Sequence, residues 1–394
     1  MTLGYKRTLY ASYLGAVSQA AICNLTPLLF VIFQQQYGLS VSQLGFLVTY
    51  NFGLQILVDF LAGRYAERIG YKPCVIAAHV FGAVGILGQG IFPELFGNPY
   101  AGLLVAVTVY ATGAGLIEVL LSPIVQALPL DGKSAAMSLM HSFYCWGCVL
   151  VVLFSTLFFH FFGTENWKWL TLLWAAVPAA NAVLFSISSI RVLNGGDKPL
   201  PLGKLLSMKL FWIFAVLMLC SGAAELSMSQ WASFFAEKGL KVSKSMGDLL
   251  GPCLFAVLMG TSRLIYGIFG ERIPLKAFIS ASGILCVGSY LLAVFAPHPV
   301  LNLLGCGICG LSVGIMWPGV LSLAAEHCPA GGTTLFAMLA MMGDVGCSAG
   351  PSVVGLVSCA FDDELKAGLL AAMAFPLILV LGIQGLRETK ITSV

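Results

Sequence analysis

Apolar runs separated by short clusters of charged residues, glycine and proline fill this chain from end to end. A membrane-crossing helix needs about 20 apolar residues. Reading the runs against that length predicts twelve spans, at 8–36, 42–66, 73–92, 98–128, 133–161, 166–190, 207–236, 245–270, 274–295, 299–326, 332–359 and 365–387. The loops between them are short, which leaves no room for an extramembrane domain. The first span follows Lys6-Arg7 and is too long for the core of a cleavable leader, so it is expected to stay as the first helix. Twelve spans put both ends on one side of the bilayer. Of the 20 Lys and Arg, fifteen fall on the side of the termini and five on the other. Because cytoplasmic loops carry the basic excess, both termini are predicted cytoplasmic in a plasma (inner) membrane protein.

The longest polar stretch, Arg191 to Lys204, contains Gly195, Gly196, Pro199 and Pro201. It predicts a six-helix bundle over 1–190, a linker over 191–206 and a second bundle over 207–394. Each half carries a charged loop after its second helix, Gly63 to Lys72 and Arg263 to Arg272. Such a repeat suggests duplicated bundles related by an axis along the membrane normal, with a substrate site between them at mid-depth.

Composition agrees with an all-α polytopic membrane protein. The 394 residues are 59% hydrophobic and 9% charged, whereas soluble proteins carry about 25% charged residues. A soluble enzyme is excluded, and so is a disordered chain, which would lack the 26 Phe. A net charge of +3 is too small to point to nucleic acid. The 12 Cys lie mostly in apolar runs and read as packing residues. Cys145/Cys148 and Cys306/Cys309 have metal-binding spacing without the partners a metal needs, so no metal is expected. Gly305-Cys-Gly307-Ile-Cys-Gly310 matches a dinucleotide pattern inside an apolar span with no strand before it, so no cofactor is expected either. Asn24-Leu-Thr26 is a glycosylation acceptor buried in the first span and should be silent.

The segment Asp59-Phe-Leu-Ala-Gly63-Arg64-Tyr-Ala-Glu67-Arg68-Ile-Gly70-Tyr-Lys72 resembles the loop 2–3 signature of the major facilitator superfamily, with every charge and glycine at the family spacing. The resemblance implies the twelve-helix fold in two six-helix halves and a conformational latch. Gly63 would allow close helix approach, Asp59 and Arg64 would form its charge-assisted pair, and Arg68 belongs to the same motif. A narrower resemblance is to the fucose permease branch, which includes sodium-glucose relatives. Gly113-Ala-Gly-Leu-Ile-Glu118-Val-Leu-Leu-Ser-Pro123 is similar to that branch's fourth helix, with Ser122 where the branch has Asn. Ser138-Leu-Met-His141-Ser-Phe143 is similar to its fifth, with His141 where relatives carry a sugar-contacting Gln. Met316-Trp317-Pro318 is similar to its tenth. One departure affects coupling: proton-coupled members have an Asp three residues after a helix 1 Asn, and here Asn24 is followed by Leu-Thr-Pro27.

Acids in apolar spans are costly and therefore functional candidates. Glu118 can load and release a proton and can accept hydrogen bonds from sugar hydroxyls. Glu225, on the seventh span, can take over coupling from the missing helix 1 acid. Ser229 shares its face; Gln230 and Trp231 join it only where the helix breaks. Asp344, beside Gly346, Gly350 and Pro351, would suit Na⁺ if the helix unwinds and frees carbonyl oxygens. His141 can donate to or accept from a hydroxyl. Trp317 can stack on a sugar face beside a Pro318 kink. Asn24, Asn51 and Gln55 offer neutral hydrogen bonds.

The expectation is a secondary active transporter, not an enzyme, and probably a monomer in the lipid bilayer, importing a small neutral hydroxylated solute, a sugar, by symport with H⁺ or Na⁺. Its cavity would be lined by Asn24, Glu118, His141, Glu225 and Trp317. Neutrality rests on the absence of a cavity Arg or Lys, with Arg263 assigned to the cytoplasmic end of helix 8. A proton-driven exporter of drugs or metabolites and a non-transporting sensor are the alternatives.

Overall fold

The apolar runs fold as helices because in lipid each backbone N–H and C=O must be satisfied within its own segment. A computed structural model describes residues 3–39, 41–191, 200–232, 251, 253–362 and 364–386, with no β-strand among them. The first predicted half holds α1 (Leu3–Leu28), α2 (Phe30–Tyr37), α3 (Val41–Ile69), α4 (Tyr71–Leu95), α5 (Pro99–Ala127), α6 (Lys133–Phe162) and α7 (Trp167–Ser186). The predicted linker holds α8 (Leu202–Leu206), and the second half holds α9 (Lys209–Ser229), α10 (Leu254–Phe269), α11 (Leu275–Phe295), α12 (Pro299–Val313), α13 (Met316–His327), α14 (Gly332–Ala360), α15 (Leu365–Ala372) and α16 (Ala374–Gly385).

Each predicted span coincides with one helix or with a broken pair, although parts of 207–236 and 245–270 lie outside the described residues. The breaks sit beside prolines, which remove a backbone donor. Pro27 precedes the α1/α2 junction, Pro318 follows the α12/α13 junction and Pro376 follows the α15/α16 junction. Of the predicted linker, 192–199 lies outside the described residues and Leu202–Leu206 is helical. Among the described residues nine helical segments are long and apolar enough to cross a membrane, and α10 is a shorter one. The polar positions Gln19, Asn24, Asn51, Gln55 and Asp59 fall on α1 and α3, outside those nine.

Contacts gather the chain into two units. The first comprises Met1–Leu130, Phe143–Pro199 and Gly332–Ala337; the second comprises Asp131–Ser142, Leu200–Gly331 and Met338–Val394. Within the first, α4 and α5 meet backbone to backbone. A side chain at Gly113 would lie 2.6 Å from the Ala78 carbonyl. Within the second, α11 and α12 meet in the same way at Gly305, 2.6 Å from the Ala293 nitrogen. Leu150, Leu153, Leu157 and Phe161 share an exposed face of α6, which suits contact with lipid and would be a liability in water.

Candidate functional site

Membrane-embedded polar groups concentrate in two clusters, one in each unit. In the first, Glu118 lies half-buried on α5 and accepts a hydrogen bond of 3.1 Å from Gln19 Nε2 of α1. Gly147 of α6 leaves room for α1, since a Cβ there would lie 2.7 Å from the Ala20 Cβ. That close approach sets Tyr144 and Cys148 beside α1. Tyr144 lies near the Asn24 side chain. Asn24 Nδ2 also donates to Cys148 Sγ at 3.4 Å and to the Ala20 carbonyl at 2.9 Å. The sequence reading named Asn24 and Glu118 but missed Gln19 and Tyr144. Gln19 was open to the same argument as Asn24, an amide in an apolar span, whereas Tyr144 looked like one aromatic among many.

On α3, Asn51, Gln55 and Asp59 recur every four residues and are all buried. Asp59 lies next to Gly115 of α5, where an added Cβ would sit 3.4 Å from its Oδ1. Asn51 Oδ1 and Gln55 Nε2 have no hydrogen-bond partner among the described residues. Buried polar atoms are nearly always paired, which makes these two candidates for hydrogen bonds to a solute.

In the second unit Arg263 of α10 is a hub. Its side chain is 4% exposed and its Nη2 lies 3.4 Å from Glu225 Oε2 of α9, which is 15% exposed. Nε donates to the Gly314 carbonyl at 2.7 Å and Nη1 to the His141 carbonyl at 3.3 Å. The Gly314 carbonyl is available because its partner four residues on is Pro318, which has no N–H. Arg263 thus caps the break that the proline makes between α12 and α13. Ser138 and Ser142 of α6 bond to the Arg263 and Gly260 carbonyls at 2.8 and 2.9 Å, which ties His141 to α10. The expectation that Arg263 stands apart from the membrane acids is overturned: it is buried against one of them. Position along the sequence did not reveal its depth, and a bound counter-charge is what permits it there.

The remaining candidates are placed as follows. α9 ends at Ser229; Gln230 is exposed in the following turn, and Trp231 donates from Nε1 to the Pro351 carbonyl at 3.1 Å. Trp317 is buried with its ring against Gly343 of α14. Asp344 is buried on α14, which runs unbroken from Gly332 to Ala360. Of the two readings open to the small residues Gly346 and Gly350, a break or close packing, α14 shows no break. Its glycines serve close packing instead: a Cβ at Gly346 would run into the Leu219 carbonyl, and one at Gly350 would lie 2.6 Å from the Ala223 carbonyl of α9.

At loop 2–3, Gly63 is buried and Arg68 exposed. Arg64 is exposed, with its guanidinium 5.7 Å from the Tyr65 ring centroid rather than against buried Asp59. The acid in use is Glu67. It accepts from the Thr333 nitrogen at 2.7 Å and from Thr333 Oγ1 at 2.8 Å, at the start of α14, where a helix favours negative charge. Tyr71 donates to the same carboxylate at 3.3 Å, and Thr334 Oγ1 donates to the Gly63 carbonyl at 2.9 Å.

Long apolar helices with charges buried inside them define a multi-pass membrane protein. The model of the Major Facilitator Superfamily matches residues 12–351, and the chain belongs to that family of transporters. No curated protein sequence matches it. The Escherichia coli fucose:proton symporter FucP superposes with a TM-score of 0.82 at 16% identity, over 98% of this chain and 100% of that one. The proton:xylose symporter XylE gives 0.77 at 13% identity, over 96% of this chain and 94% of that one. The human organic anion transporter MFSD10 gives 0.72 at 18%, over 97% of this chain and 100% of that one. At such identities the likeness is one of fold.

Proposed function

We propose that this transporter imports a small hydroxylated solute of the sugar class by cation symport with alternating access, as a monomer in the plasma membrane with both termini cytoplasmic. The observation that carries the reading is the Glu118 cluster. A carboxylate in an apolar helix is met there by Gln19, with Tyr144 and Asn24 beside it. Neutral donors and acceptors of this kind match hydroxyl groups, and the acid can exchange a proton as its access to water changes. The α3 amides Asn51 and Gln55 supply further hydrogen bonds. The structural neighbours FucP, a fucose:proton symporter, and XylE, a proton:xylose symporter, support the same reading.

The proton is the favoured coupling ion. Hard cations such as Na⁺ want several oxygen ligands, and α14 stays helical beside Asp344, where Pro351 leaves one carbonyl, that of Cys347, without its helical N–H. The neutrality expected from the absence of a cavity Arg or Lys is set aside here, because Arg263 is buried beside Glu225.

The test is uptake of labelled sugars into liposomes holding the purified protein, with proton and sodium gradients imposed separately. Accumulation driven by the proton gradient, with competition that distinguishes sugar epimers, is the expected result. Competition by many unrelated hydrophobic compounds would replace the reading with a proton-driven exporter. Binding without flux of any solute would replace it with a sensor.

A further inference from the structure

Among the described residues the Glu225 carboxylate meets the Arg263 guanidinium at 3.4 Å, from Nη2 to Oε2. Strong Arg–carboxylate pairs are two-pronged and fall at about 2.7–2.9 Å, so the carboxylate is the loosely held member. Arg263 itself is fixed by backbone. Among the described residues it donates to the Gly314 and His141 carbonyls, which hold the guanidinium in place. Glu225 also keeps some accessibility, whereas Arg263 is almost fully enclosed.

This arrangement constrains what a proton can do. If Glu225 took up a proton alone, the cluster would become one charge more positive in a low-dielectric interior, which is strongly unfavourable. A carboxylate arriving with the proton removes that obstacle. An O–H bond forms on Glu225, the solute carboxylate takes over the contact with Arg263, and the charge of the cluster is the same before and after. Other titratable groups lie on the elements around the pair. They are His141 of α6, Tyr290 of α11, which donates to the Ala224 carbonyl at 2.9 Å, Cys306 and Cys309 of α12, and Asp344 and Cys347 of α14. Lys366 stands in the first turn of α15, Glu326 and His327 in the last turn of α13, and α16 carries none.

We propose that the Arg263–Glu225 pair is a carboxylate-binding subsite, so that the transported solute is a sugar acid entering together with one proton. The proposal rests on the proton-coupled sugar-class reading and adds the charge of the solute. Transport of a monoanion with one proton is electroneutral, which separates it from proton symport of a neutral sugar.

The experiment compares labelled gluconate and galacturonate with glucose and galactose in liposomes of the full-length protein, under an inward proton gradient. The membrane potential is set independently with potassium and valinomycin. Expected is at least about tenfold greater accumulation of the acids, unchanged by the potential. Arg263→Gln should remove acid uptake, and Arg263→Lys should retain part of it. The double variant Arg263→Gln/Glu225→Gln, which leaves no buried charge unpaired, should elute as a folded monomer and yet not bind gluconate by calorimetry. Glu225→Gln should keep gluconate exchange while losing gradient-driven accumulation. Equal accumulation of neutral sugars, undiminished in the double variant, would overturn the proposal and leave proton-coupled sugar import standing. Absence of flux for every sugar and acid, with no gluconate binding to the native protein, would overturn both.

Discussion

Glu118 is an acid with an amide from another helix for company, and that pairing sets what substitution should do. Glu118→Gln keeps the shape and the hydrogen-bonding capacity but removes the exchangeable proton. If the coupling proton sits on Glu118 rather than on Glu225, solute exchange across liposomes should persist and become independent of pH, while the accumulation ratio under a proton gradient falls at least about tenfold, toward one; an unchanged ratio assigns the proton to Glu225. Hydrogen bonds to charged groups contribute about 1.5–3 kcal/mol. Gln19→Leu, which removes the donor at 3.1 Å, should therefore weaken solute binding about tenfold if solute and amide share the carboxylate; calorimetry on the purified protein measures it. At this scale the sequence was an uneven guide. Glu118, Asn24 and Glu225 were legible because a polar residue in an apolar run needs a reason. Gln19 needed the same reasoning and did not receive it. Arg263 was misread because a basic residue a few positions from a charged loop looks like part of that loop. Its partner, Glu225, is 38 residues away in sequence.

Helices were legible to within a few residues, since bilayer thickness sets their length and proline marks their breaks. What the pattern could not show was how a break is satisfied or a glycine used. The orphaned Gly314 carbonyl is met by Arg263 rather than by water or a neighbouring turn. Gly346 and Gly350 allow either a break or a close contact by sequence, and in the fold they are places where α9 comes close. Gly346→Val should thus overpack the contact and cost about 1–3 kcal/mol, seen as a lower thermal midpoint in detergent. Gly385→Ala, with no neighbouring atom within 4 Å of the added carbon, is the matched control and should leave the midpoint unchanged.

Family membership and the series of spans were visible from hydropathy and one loop motif, because those signals are local. The contact that the motif makes is not local: Glu67 and Thr333 are 266 residues apart. A double-mutant cycle with Glu67→Gln and Thr333→Val should return about 1–3 kcal/mol of coupling in thermal unfolding. Additive effects would mean that the carboxylate does not act through that threonine. Topology is open to the same kind of check. A single cysteine added at either terminus of a variant lacking reactive native thiols should react with an impermeant maleimide only in inside-out vesicles. The glycine contact between α9 and α14 also has a mechanical meaning. Two rods touching main chain to main chain cannot slide past each other by even one residue without collision, so they have to travel as a single lever. Spin labels placed on the lipid-facing sides of the pair should keep one sharp separation in dipolar spectroscopy, whether the transporter is empty or loaded, while labels elsewhere record the stroke.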